Sequence, residues 1–310
     1  MIKTHTKLII ILVFIIGILL QGCTTEGPTN NNYNQQNTIY VDIKGTTNYS
    51  SIQEAIDASP ENYTIFILKG NYRENIIINK TLTIKGEDPK TTIIDGTQTS
   101  DTVTIDKENV LISGLTITNS SKNANKAGIR INKNRATINN NILKDNVCGI
   151  YSNRASHNYV HNNTITANRF NSTSMDGYGI YVYAGSNNMK IHDNLFYEND
   201  CSLRVKGSQN CEIFRNQFNN SKKGMYFCCG ARMNSVIGNT FRDHSTWNAD
   251  DQVGSNEWND SIGQGNYWDD YTGVDENGDG IGDTPYEISS YRSIYDEFPL
   301  MEPPVEISLS

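Results

Sequence analysis

Apolar residues in this chain come in short alternating runs broken by Gly, Asn or Lys, and one such unit recurs down the sequence. An apolar residue is followed three positions later by Asn, and two after that by a second apolar residue. The copies are Ile138, Asn141 and Leu143; Val160, Asn163 and Ile165; Ile191, Asn194 and Phe196; Ile213, Asn216 and Phe218; Val236, Asn239 and Phe241. The Asn residues stand 22, 31, 22 and 23 positions apart. A unit near 22 residues is too small to bury its own apolar face, so the period predicts coils stacked on one another.

Ahead of these units the alternation predicts short β-branched strands at 38–42, 65–68, 76–78, 82–84, 92–94, 102–105, 110–112 and 115–117. Between the first two, Ser50 or Ser51 precedes Ile52, Ala55, Ile56 and Ala58, which lie on one side of a short helix. Such a helix would cover the open end of a β-stack, where backbone groups would otherwise be unpaired. From Gly128 onward each unit adds a second motif: Gly128-Ile129-Arg130, Gly149-Ile150-Tyr151, Gly179-Ile180-Tyr181, Ser202-Leu203-Arg204 and Gly224-Met225-Tyr226. One coil therefore holds about three short strands, each pairing with its counterpart about 4.8 Å away in the next coil. Residues 169–178 lengthen one interval, and insertions of this kind map to loops on one face of a solenoid.

The expected fold is all-β, a parallel β-helix over 38–262 with a capping helix at its start and an irregular tail over 263–310. A leucine-rich horseshoe would need more Leu and room for a helix in each unit. The repeat resembles the right-handed parallel β-helix of pectin-lyase-like proteins, and among them the NosD-type surface β-helix proteins. The tail strengthens the resemblance. Gly265-Asn266-Tyr267-Trp268-Asp269-Asp270-Tyr271, then Asp275–Asp283, Thr284-Pro285-Tyr286 and Phe298-Pro299-Leu300-Met301 are similar to the string that follows such helices in secreted archaeal and bacterial proteins. The resemblance implies a copper-related accessory role as one reading, and a lyase, hydrolase or epimerase acting on polysaccharide as another.

Composition narrows the partners. A net charge of −8 leaves no overall basic excess for phosphates, which argues against nucleic acid. Lys3 and Lys7 precede an apolar run from Leu8 to Leu20, too short for a comfortable membrane span and suited to a signal segment over 1–22. The ending Leu20-Gln21-Gly22-Cys23 resembles a lipoprotein signal-peptidase box, which implies cleavage before Cys23 and a lipid on its sulfur. Residues 23–37 then read as a flexible tether, with the lipid as the sole membrane contact. Export permits disulfides, but Cys148, Cys201, Cys211, Cys228 and Cys229 are odd in number and include no CxxC pair.

Stacking on the Asn residues aligns the candidate chemistry. The residue after Gly-Ile faces outward, because strand side chains alternate, giving the column Arg130, Tyr151, Tyr181, Arg204 and Tyr226. Flanking columns carry Tyr178 and Lys223 on one side, Tyr183, Lys206 and Cys228 on the other. Tyrosine rings suit sugar faces, and guanidinium or ammonium groups suit sugar carboxylates. The leading expectation is therefore recognition of an acidic extracellular polysaccharide along an exposed face comprising Arg130, Tyr151, Tyr178, Tyr181, Tyr183, Arg204, Lys206 and Tyr226. A catalytic reading would draw on Asp176, Asp200 and Arg204. The repeated Asn side chains read as structural.

Two metals are expected in different places. Asp275, Asn277, Asp279, Ile281 (through its carbonyl) and Asp283, with Gly280 at the sharp turn, have the spacing of a calcium loop that would pin the tail. Position 12 of that pattern is Tyr286 rather than Glu. His161 and His192 occupy equivalent positions in successive coils and could share a copper ion, the less favoured of the two metals.

Overall fold

The computed structural model of the protein describes residues 37–289, 291–304, 306 and 307. The expected signal segment, the Cys23 lipid site and the tether up to residue 36 lie outside them. The described chain is a parallel β-solenoid. Three sheets form it: nine strands from Thr38–Val41 to Ser235–Ile237, nine from Gly70–Tyr72 to Tyr267–Trp268, and eight from Ile76–Ile78 to Trp247–Asp251. Each strand pairs in parallel with its counterpart one coil away, so Ile138 sits beside Val160, and Val160 beside Ile191. Tyr267–Trp268 still belongs to the stack, past residue 262 where the sequence placed the boundary.

In the sheet that ends at Tyr267–Trp268, the inward position is Ile117, Leu143 and Ile165 in successive coils and then becomes aromatic. Phe196, Phe218, Phe241, Trp268 and Tyr286 stack ring on ring at 4.7, 4.8, 4.4 and 4.3 Å between centroids. The last ring comes from the tail, so the tail extends the core instead of merely covering it.

The corners explain the repeated Asn. Asn141, Asn163, Asn194, Asn216, Asn239 and Asn266 form one column, each Nδ2 donating to the next Oδ1 at 3.0–3.2 Å. Each Nδ2 also reaches a backbone carbonyl of the preceding coil, as Asn163 does to Ile138 at 2.9 Å. Buried amides are thereby satisfied without water. A second corner, which the sequence reading passed over, runs Asn146, Asn168, Asn199 and Ser221.

Both ends are closed. The helix Ile52–Ala58 buries Ile52, Ala55 and Ile56. Ser51 Oγ accepts the Glu54 N–H, and Glu74 accepts those of Ile52 and Gln53. Lys80 Nζ donates to the carbonyls of Ile56, Asp57 and Ser59 at the other helix end. At the far end of the stack the tail returns as an antiparallel pair, Tyr286–Ser289 with Ile294–Asp296. Asp296 then accepts from Asn266 N and Nδ2, from Trp268 Nε1 and from Phe298 N.

Candidate functional site

The outer face of the eight-stranded sheet carries the expected columns in the expected register. Arg130 pairs with Tyr151, Tyr151 with Tyr181, Tyr181 with Arg204, and Arg204 with Tyr226. Tyr183 stands beside Lys206, and Lys206 beside Cys228. At Gly179 the coils leave no room for a side chain: a Cβ there would lie 2.5 Å from the Ser202 carbonyl oxygen.

Exposure differs from the expectation. Tyr151, Tyr178 and Tyr181 are only 6%, 3% and 4% exposed, so they are not an open platform for sugar rings. They form a small apolar cluster on the outside of the sheet with Cys148 and Cys201, flanked by Phe170, Tyr183 and Tyr226. The rings pack against each other, at 5.1 Å for Tyr151 with Tyr181 and 4.8 Å for Tyr178 with Tyr181. Burial pushes the phenols of Tyr151 and Tyr178 up to about 12, against the pull of Arg130 and Arg204 respectively.

The inserted segment supplies Phe170, and the two proposed catalytic acids hold that segment. Asp200 Oδ2 accepts from Phe170 N at 2.8 Å and from Gly177 N at 2.9 Å, closing the loop at both ends. Asp176 pairs with Lys223 at 2.7 Å. Each carboxylate therefore has a structural partner.

The two arginines of the column have contrasting surroundings. Arg130 is neutralised by Asp101, with Nε and Nη2 bound to its two oxygens at 2.7 and 3.0 Å. Arg204 has no acidic partner among the described residues. Its Nη1 donates to Tyr178 Oη at 2.6 Å and its Nη2 to Cys228 Sγ at 3.5 Å, while Nε is buried with no partner. The guanidinium lies 5.5, 5.1 and 5.3 Å from the ring centres of Tyr178, Tyr181 and Tyr226. Burial opposes its charge, but Cys228, Tyr178 and Tyr181 outweigh that, and its pKa stands above the usual arginine value. Lys206 rests 5.5 Å from the Tyr183 ring and likewise forms no ion pair among the described residues.

The residues expected to hold metals are engaged with one another and with the backbone. His161 and His192 are adjacent, but their rings are parallel at 5.0 Å, and His192 stacks on Phe214 at 4.7 Å. Lone pairs in parallel ring planes do not converge on a shared ion. His192 Nδ1 is also bound to Asp193 Oδ2 at 2.7 Å, and His161 contacts Asn162 and Asn139. Burial, reinforced by the neighbouring His192, lowers the His161 pKa. In the tail loop, Asp275 accepts from the backbone N–H groups of Gly278, Asp279 and Gly280. Asn277 accepts from Asp279 N, Asp279 from Ile281 N, and Asp283 from Glu276 N. Among the described residues no three or more His, Cys, Asp or Glu side chains are grouped to hold a metal.

All five described cysteines are free thiols, four of them buried and Cys229 exposed. The contact between Cys228 and Arg204 escaped the sequence reading. The available signal was the adjacency of Cys228 to Cys229, together with Arg204 on the neighbouring strand.

Comparison with known proteins puts a family to this fold. The chain matches the model of the family described as periplasmic copper-binding protein (NosD) over residues 30–273. It is 29% identical over 130 residues to the probable ABC transporter binding protein NosD of Pseudomonas aeruginosa, a match covering 42% of this chain and 27% of that one. It is 37% identical over 75 residues to the protein of the same description from Stutzerimonas stutzeri, covering 24% and 17%. The matched regions thus span about a quarter or less of those relatives. Among solved structures, an alginate lyase from Paenibacillus sp. str. FPU-7 superposes with a TM-score of 0.51 at 14% identity, covering 69% of this chain and 84% of that one. ORF18 of Geobacillus virus E2 gives 0.50 at 15%, covering 66% and 52%. At such identities the likeness is one of fold. The family match takes in well over half of the chain, and this protein belongs to the NosD family.

Proposed function

We propose that this NosD-family β-solenoid, whose family membership is consistent with export, recognises an acidic saccharide through Arg204 and Lys206 on the outer face of the eight-stranded sheet. The observation that carries this reading is the missing counter-charge. Arg130 and Lys126 share Asp101, and Lys222 and Lys223 share Asp176. Arg204 and Lys206, two positions apart on one strand, have tyrosine rings instead of carboxylates. Stacking on rings offsets only part of the cost of holding a half-buried cation. A sugar carboxylate would supply the missing charge and an acceptor for the guanidinium. The buried tyrosines act as the wall that holds Arg204 in place, while Tyr183 and Tyr226 form the accessible rim.

The test is calorimetric titration with an oligouronate and with the same oligosaccharide after its carboxyl groups have been reduced to alcohols. The wild type should bind the uronate, and the neutral form at least 10-fold more weakly. Arg204→Met should erase that difference. Equal binding of both sugars, or no binding of either, would overturn the reading.

A further inference from the structure

The outward column does not stop at Tyr226. Its next member is Asp250, on the last strand of the eight-stranded sheet, Trp247–Asp251. Gln252 follows that strand and joins the two: Tyr226 Oη donates to Gln252 Oε1 at 2.8 Å, and Gln252 Nε2 donates to Asp250 Oδ2 at 3.2 Å. Beyond them the antiparallel pair of the tail adds a wall. Ser289 ends its first strand, Tyr291 and Arg292 precede its second, and Arg292 N closes on the Ser289 carbonyl at 3.3 Å. Asp250, Gln252, Ser289, Tyr291 and Arg292 line a cavity of about 390 Å³. Tyr291 is 88% exposed, and the Arg292 guanidinium stands 5.5 Å from the centre of its ring. Neither Arg292 nor Asp250 forms an ion pair among the described residues. Asp250 is half-buried, and burial holds its carboxyl above the ordinary value.

We propose that this cavity is a second subsite of the saccharide face, holding another uronate unit of the chain anchored at Arg204 and Lys206. The inference rests on the saccharide reading and extends it to the length and direction of the ligand. Arg292 supplies a guanidinium for the second carboxylate. Asp250, Gln252 and Ser289 offer partners to sugar hydroxyls, and the Tyr291 ring offers a face to the sugar ring. The unpaired Asp250 also sets the orientation: it repels a ligand carboxylate and accepts hydroxyls, so the sugar turns its carboxylate to Arg292 and its hydroxyls to Asp250. Two strand spacings separate Arg204 from Asp250, about 9.6 Å, a distance no single sugar ring spans. The ligand therefore crosses the strands along the stack, passing over Tyr226. Linking two contacts in one molecule makes the second intramolecular, so a chain long enough for both binds more tightly than one unit does.

The test is calorimetric titration with a monouronate and a tetrauronate of one series. The wild type should bind the tetrauronate at least 20-fold more tightly, beyond the statistical gain from repeated units. Tyr291 and Arg292 are exposed, so their replacement leaves the core intact. Arg292→Met should bind the monouronate as the wild type does and lose at least 5-fold in tetrauronate affinity, and Tyr291→Ala should do the same. Arg73→Met, an equal change of charge at an exposed position in the early coils, should leave both affinities unchanged. Wild-type tetrauronate affinity in Arg292→Met, with binding still lost in Arg204→Met, would overturn the second subsite and leave the first standing. An equal loss in Arg73→Met would also overturn it, by making the effect one of net charge. Failure of the wild type to bind either sugar would overturn both readings.

Discussion

Asp296 stands where one more coil would have put an asparagine. Every earlier rung of its corner ends on an Asn oxygen; the last, Asn266, ends on a carboxylate. A third corner, in which Asn234 donates to Asn256, closes the same way: Asn256 Nδ2 donates to Asp251, which also accepts the Trp258 indole N–H, as Asp296 accepts that of Trp268. A carboxylate offers acceptors without donors, so it can terminate a column of donors and leave none of its own unmet. The cost is burial of its charge. Burial outweighs the four N–H donors and pushes the Asp296 carboxyl up to about 6. A carboxyl with a raised folded-state pKa binds more protons in the native state, so its contribution is complete below the ordinary value near 3.9 and is lost as pH rises through about 6. Thermal melts of the wild type should therefore show a fall in stability between about pH 4 and pH 6 that Asp296→Asn lacks. The same slope in both proteins would show that the carboxyl does not titrate there. Sequence revealed the first column of Asn because its spacing is fixed. It concealed this ending, because Asp296 lies 30 positions from Asn266 and outside any period.

At the scale of elements, periodicity located strands and faces well and exposure poorly. The register of Arg130, Tyr151, Tyr181, Arg204 and Tyr226 was readable because alternation and the Asn spacing fix which residues stand side by side. Alternation cannot say what lies on top of a face. Phe170 arrives from the insertion and packs against the cluster that contains Tyr178 and Tyr181, and it is held there by Asp200, which sequence offered as a catalytic acid. A similar limit hid the histidine geometry: register put His161 beside His192, but ring orientation made them a stack. The Asp200 clamp predicts that Asp200→Ala leaves the Phe170 and Gly177 N–H groups without an acceptor, a loss of about 1–3 kcal/mol. Thermal melts should show that loss, and limited proteolysis should cut within 170–177 much faster than in the wild type. Unchanged cleavage would mean that Asp200 does not hold the loop.

For the whole molecule, the solenoid matters as a ruler that sets strands from distant parts of the chain about 4.8 Å apart. It brings Tyr178 and Tyr181 from the preceding coil and Tyr226 from the following one around Arg204, so the proposed saccharide site exists only while those coils stay stacked. Loss of oligouronate binding on heating should therefore coincide with the cooperative melting of the solenoid, and saturating oligouronate should raise the melting temperature of the wild type but not of Arg204→Met. Uronate binding that survived melting would mean that the two cations suffice without the tyrosine wall.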